Sequence, residues 1–182
     1  MHRNLLLQLL KNHKPSTTEE TQFKQQMTEF VEQNFDCFER TLLIGHVTGS
    51  AWIVDKSRQF TLLTHHRKLD KWFQTGGHCD GDSDVLNVAL KEAREETGLV
   101  DIQVINSAIF DLDIHEIPER KGVPKHLHYD VRFLLEGNMD QPLIVSSESS
   151  DLAWVEISKV SALNNSESIM RMVLKEIQGG RK

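Results

Sequence analysis

The sequence predicts an α/β domain, with helices flanking strands of mixed length, and three observations carry that expectation. Residues 1–40 have helical texture, and from Gly45 onward the pattern turns to strand-like alternation. Between the strands lies a glutamate-rich helical stretch that opens after a glycine pair and closes on another glycine.

Each element follows from local signals. The apolar run Leu5 to Leu10 predicts a short helix over 4–12 that stops at Lys14-Pro15. Ser16 precedes Glu19 in capping-box spacing and opens a second helix, with Phe23, Met27, Phe30 and Val31 on one face. Residues 46–54 and 60–66, separated by the polar turn Asp55-Lys56-Ser57-Arg58, predict a hairpin. A loop through 67–71 leads to Trp72-Phe73 and the pair Gly76-Gly77. Asp84 is a good N-cap for the next helix, and Gly98 suits the left-handed position that ends it. Leu86, Ala89, Leu90, Ala93 and Thr97 form its expected buried stripe. Strands are expected over 101–114 and 127–135, then, after a loop rich in Ser and Glu, over 152–155; a last helix is expected over 167–177.

At 182 residues the chain fits one domain with a small extension and can bury a real core. A net charge of −6 argues against a surface that grips a nucleic-acid polymer, which wants a basic face. Two local basic clusters, Arg67-Lys68 with Lys71 and Arg120-Lys121 with Lys125, could hold the phosphates of a small molecule or be solvated loops. Two cysteines, Cys37 and Cys79, make no disulfide framework, so a reducing, cytoplasmic location is expected. The run Leu5 to Leu10 is too short for a secretory signal or a membrane span, so no membrane association is expected.

The chemistry concentrates between Gly76 and Leu99, which reads GGHCDGDSDVLNVALKEAREETGL. Helical geometry brings Glu92, Glu95 and Glu96 towards one face. Like charges at that spacing cost a few tenths of a kcal/mol per pair, and oxygen-only ligands suit Mg²⁺ or Mn²⁺.

The spacing resembles the signature of the Nudix hydrolases: Gly77, five residues, Ser83, seven residues, then Lys91-Glu92-Ala93-Arg94-Glu95-Glu96-Thr97-Gly98-Leu99. Two positions depart from the family pattern: Ser83 stands where the family has Glu, and Lys91 where it has Arg. The resemblance implies an α/β/α sandwich around a mixed sheet over 41–182, with residues 1–40 as a helical extension packed on that core. It implies hydrolysis of a diphosphate linkage in a nucleoside diphosphate derivative or similar small molecule. It also implies metal ligation by Glu92, Glu95, Glu96 and the backbone carbonyl of Gly76. Lys91 is expected to keep the charge role of the usual Arg without its bidentate fork. The base that activates water is expected to be Glu92 or Glu148. The departures at Ser83 and Lys91 leave a non-catalytic nucleotide-binding or regulatory member of the fold as the alternative. An isomerase branch that uses a cysteine is a further comparison, resting on Cys79 alone. A homodimer is the assembly that related folds suggest.

Two strands carry polar faces. Asp111, Asp113 and His115 alternate with Phe110, Leu112 and Ile114, and His126, His128, Asp130 and Arg132 alternate with Leu127, Tyr129, Val131 and Phe133. The combined pattern looks like a subgroup of bacterial Nudix proteins. Such a face is either one wet edge or a substrate pocket in which His126, His128 and Arg132 meet phosphate or sugar oxygens. Trp72 is expected to border that pocket. His126 and His128, completed by His78, His115 or the pair His65-His66, also suggest a rival transition-metal site.

Overall fold

The structure, a computed structural model, describes residues 2–120, 122–147 and 149–179. Helix α1 (Asn4–Asn12) buries Leu6 and Leu10 and ends where His13 turns extended ahead of Lys14-Pro15. Helix α2 (Thr18–Gln33) is capped one residue later than the spacing predicts. The Thr17 hydroxyl accepts the Glu20 N–H, and the Ser16 N–H donates back to the Glu20 carboxylate at 2.6 Å. The shift follows from Glu20 itself, which is fully buried and paired with His13 and Lys175.

Among the described residues, eight strands form one mixed sheet. Strand β1 (Gly45–Val54) runs parallel to β7 (His126–Gly137) over its whole length. Its other edge pairs antiparallel with β2 (Phe60–His66) and with β4 (Thr75–His78). The far edge of β7 pairs with β6 (Asp111–Ile117) and then with β5 (Ile102–Val104), while β2 carries β3 (Lys71–Phe73) and β8 (Ser149–Glu156). Every residue of β1 is buried, as a central strand covered on both faces must be.

Two cores sit on the two faces. Val47, Ala51 and Ile53 pack with helix α3 (Val85–Thr97) and with Leu6, Leu10, Met27 and Phe30 of α1 and α2. Trp52, Val54, Leu63 and Leu134 pack with Val160 of the short helix α4 (Val160–Leu163) and with Ile169, Met172 and Val173 of helix α5 (Glu167–Gly179). The Phe30 and Tyr129 rings stack at 3.9 Å, fastening α2 to β7. Helices on both faces of a mixed sheet make this the expected layered α/β fold.

Segments 101–114 and 71–78 differ from expectation. The first is two strands, because Asn106 accepts the Ala108 N–H and turns the chain between them. The second contains β3 and β4, for which no strand is expected. Glycines carry no strand signal, yet Gly76 and Gly77 pair with Ser50 and Gly49. Among the described residues, no helix is long and apolar enough to cross a membrane.

Candidate active site

Helix α3 is fixed at both ends as its sequence predicts. Asp84 accepts the Asn87 N–H at 3.1 Å, and Gly98 ends the helix at φ 74° with its N–H on the Arg94 carbonyl. Its buried stripe is Val85, Val88, Ala89, Ala93 and Thr97; Leu86 and Leu90 are only half-buried. The stripe is set by β1, where a Cβ on Gly49 would lie 2.8 Å from the Val85 carbonyl oxygen, so helix and strand meet backbone to backbone.

That close approach presses the carboxylates onto the glycine pair. The Gly76 N–H donates to Glu96 Oε1 at 2.8 Å. A Cβ on Gly77 would lie 2.4 Å from Glu92 Cδ, so any larger residue there would push this carboxylate aside. Glu92 and Glu96 are half-buried, whereas Glu95 is exposed and lies 3.8 Å from Lys91 Nζ, also exposed. The donor set is all oxygen, with two carboxylates held at a strand backbone and a third on the same helical turn. Such a set fits a hard divalent cation. Ser83 sits half-buried in the loop before α3 and brings no fourth carboxylate.

The family profile for the NUDIX domain matches residues 45–176. The chain belongs to the Nudix hydrolase family. Solved structures with a similar fold include an Ap4A hydrolase from C. elegans, at 17% identity and a TM-score of 0.57 over 73% of this chain and 95% of that one. A MutT protein from Methanosarcina mazei matches at 18% identity and 0.56, over 76% and 96%. The E. coli dihydroneopterin triphosphate pyrophosphohydrolase matches at 16% and 0.52, over 72% and 95%. No curated protein sequence matches the chain.

Within this Nudix domain the polar faces of β6 and β7 resolve into two different things. The inner part is a buried ion-pair network. Arg132, expected to meet substrate oxygens, is 2% exposed and bonded to Asp130 at 2.7 Å, Asp111 at 3.0 Å and Asp113 at 3.2 Å. Its guanidinium is consumed by these carboxylates and by the Ser168 hydroxyl, which removes it from the substrate candidates. Arg171 of α5 adds bonds to Asp111 at 2.9 Å, Asp113 at 2.8 Å and Glu19 at 2.7 Å, and Lys175 reaches Asp111 at 2.7 Å. Burial alone would raise Asp113. The Arg132 charge and hydrogen bonds from His115 and Arg171 outweigh it and hold the carboxyl well below its ordinary range. The face is therefore neither a wet edge nor, over this part, a pocket.

The outer part is a group of histidines. His46 lies against His78, His126 and His128, with ring centroids 5.1, 5.0 and 4.8 Å away, and His115 lies 5.4 Å from His128. Burial, then the neighbouring His78 and His126, push His46 down to about 4. Burial, then His115 and His78, push His128 down to about 2. His126 is half-buried and bonds the Pro124 carbonyl through Nδ1. The other candidates lie elsewhere. Trp72 is half-buried on edge strand β3, its ring 5.0 Å from His65, and His65 itself is 3.1 Å from Asp70. Glu148 falls outside the described residues.

Three features escape the linear reading. His46 follows a glycine at the start of a strand, and only the parallel register His46 to His128 reveals its neighbours. Thr48 and Ser50 donate to Asp130 at 3.0 and 2.7 Å, which also depends on that register. The third is α5, where Arg171 is buried beside Met172 and Val173; a charge inside an apolar stripe is the signal that a buried acidic partner exists. Cys79 is buried, and burial pushes its thiol up, away from the thiolate that a cysteine-dependent isomerase would need.

Proposed function

We propose that this protein is a Mg²⁺- or Mn²⁺-dependent hydrolase that cleaves a diphosphate linkage in a nucleoside diphosphate derivative or a similar small molecule. The observation that carries the reading is the seating of Glu92 and Glu96 against Gly77 and Gly76. In this reading Glu92, Glu95, Glu96 and the Gly76 carbonyl hold the cations. When bound, these neutralise the diphosphate charge and acidify a water.

The chain's own residues do the rest. Glu92, pinned beside Gly77, is the candidate to accept the proton of the attacking water. Glu148 is the second candidate for that role. Lys91, 3.8 Å from Glu95, offsets part of its charge, though without the fixed fork of an arginine. His126, half-buried beside the histidine group, is the candidate to touch the distal part of the substrate. Two of the similar folds are named for the hydrolysis of Ap4A and of dihydroneopterin triphosphate, which supports a phosphate-chain substrate. Both cysteines are free and buried, in keeping with a reducing cytoplasm.

The test is a panel of nucleoside diphosphate sugars, dinucleoside polyphosphates and nucleoside triphosphates, incubated with Mg²⁺ or Mn²⁺ and read by product mass. Phosphorylated products are expected only with a divalent ion, and Glu95→Gln and Glu96→Gln are expected to abolish them. Wild-type turnover by both variants would contradict the site assignment.

A further inference from the structure

We propose that His46, His78 and His128 form a second, nitrogen-donor site for a divalent transition metal of the zinc class. The sheet brings the three together from separate strands. His46 of β1 is registered with His128 of β7, and Thr48, two residues further along the same face of β1, is registered with His78 of β4. Side chains of registered and i, i+2 residues share a face, so all three imidazoles converge. One ring nitrogen from each lies within 4.8 Å of the others.

The arrangement has the marks of a ligand set. His46 is 2% exposed, and neither of its ring nitrogens makes a hydrogen bond of good geometry. His128 Nε2 is likewise buried without one. Buried donors and acceptors in folded proteins are nearly always satisfied, so the His46 and His128 nitrogens that lack a well-placed partner suit a shared ion. A zinc tetrahedron with Zn–N near 2.0–2.1 Å wants nitrogens about 3.4 Å apart, which rotation of the half-buried His78 and His128 rings can supply. Imidazole donors select zinc, nickel or iron over magnesium.

The site is separate from the carboxylate platform. Gly77 faces Glu92 on α3, and successive strand residues face opposite sides, so His78 projects from the other face of the sheet. Three protein ligands leave one coordination position open to water.

The experiment uses chelator-stripped full-length protein titrated with Zn²⁺ against a competing indicator, and with Co²⁺ followed by visible absorption. Wild type is expected to bind one ion per chain, with a Co²⁺ spectrum of nitrogen coordination. His78→Asn and His128→Gln, at half-buried positions where folding can be checked by thermal melting, should each weaken Zn²⁺ by about 10–100-fold or more. Glu96→Gln should leave Zn²⁺ affinity unchanged. No stoichiometric Zn²⁺ on wild type overturns the proposal. So does unchanged affinity in both histidine variants, or loss of the ion in Glu96→Gln.

Discussion

Gly77 and Glu92 occupy each other's space: a Cβ on the glycine would sit 2.4 Å from the carboxyl carbon of the glutamate. The strand backbone thereby sets where that carboxylate lies. Gly77→Ala must displace Glu92, and a misplacement of about 1 Å in a catalytic group costs on the order of 10²-fold. A fall in kcat of that size is expected, with far-ultraviolet circular dichroism unchanged. Full activity in this variant would show that the contact has no part in catalysis.

The buried network predicts unequal costs for charges at different depths. Arg171→Met leaves Asp111 and Asp113 short of a partner in a site closed to water, and should cost about 3–5 kcal/mol in denaturant unfolding. Arg40→Ala breaks the exposed pair with Asp80 and should cost no more than about 1 kcal/mol. Equal costs would mean that the Arg171 network is hydrated.

Acid stability follows from the same carboxylates. Burial alone would raise Glu20, but hydrogen bonds from His13 and Lys175 outweigh it and hold the group well below its ordinary range. Asp113 is lowered in the same way. A carboxyl whose folded pKa is depressed stabilises the fold above its unfolded value, about 4, and loses that contribution as pH falls towards the folded value. His46 and His128, neutral in the fold, add a loss that begins below about 6.5, where the unfolded chain takes up their protons. Tm should therefore fall as pH drops from 7 to 3, with the fall below about 4.5 reduced in Glu20→Gln. A Tm that rises on acidification would contradict this.

The N-terminal helices share a core with the Nudix domain, since Leu6 and Leu10 pack in the same cluster as Val47 and Ala89. Leu10→Ala should lower the stability of the whole chain by about 2–5 kcal/mol in one cooperative transition. A separate low-temperature transition, or no change, would mean that the extension is only loosely attached.

How far the site could be read from the chain depends on how local its causes are. Asp84 and Gly98 act within one turn of α3, so the helix carrying the glutamates is visible in the linear order. The α/β layering is visible too, because the hydrophobic period changes at Gly45. The histidine group is visible only in part: His126 and His128, with His78 or His115, are suggested by their spacing, but His46 is not, because it and His128 are 82 residues apart and meet only through a parallel register that no local spacing encodes. Arg132 misleads for a related reason. Its alternation with apolar neighbours marks a shared face, but whether that face meets substrate or a lid of charges depends on Arg171 and Lys175 of the last helix.

The most direct measurement is Mn²⁺ binding, followed by electron paramagnetic resonance, in the presence of a non-hydrolysable diphosphate analogue. It compares wild type with Glu92→Gln, Glu95→Gln and Glu96→Gln. Saturable binding by wild type, weakened by about 10–100-fold in each variant, is the expected result. The same Mn²⁺ affinity in all four proteins would show that the glutamates on α3 do not hold the ion, and would end the proposed mechanism.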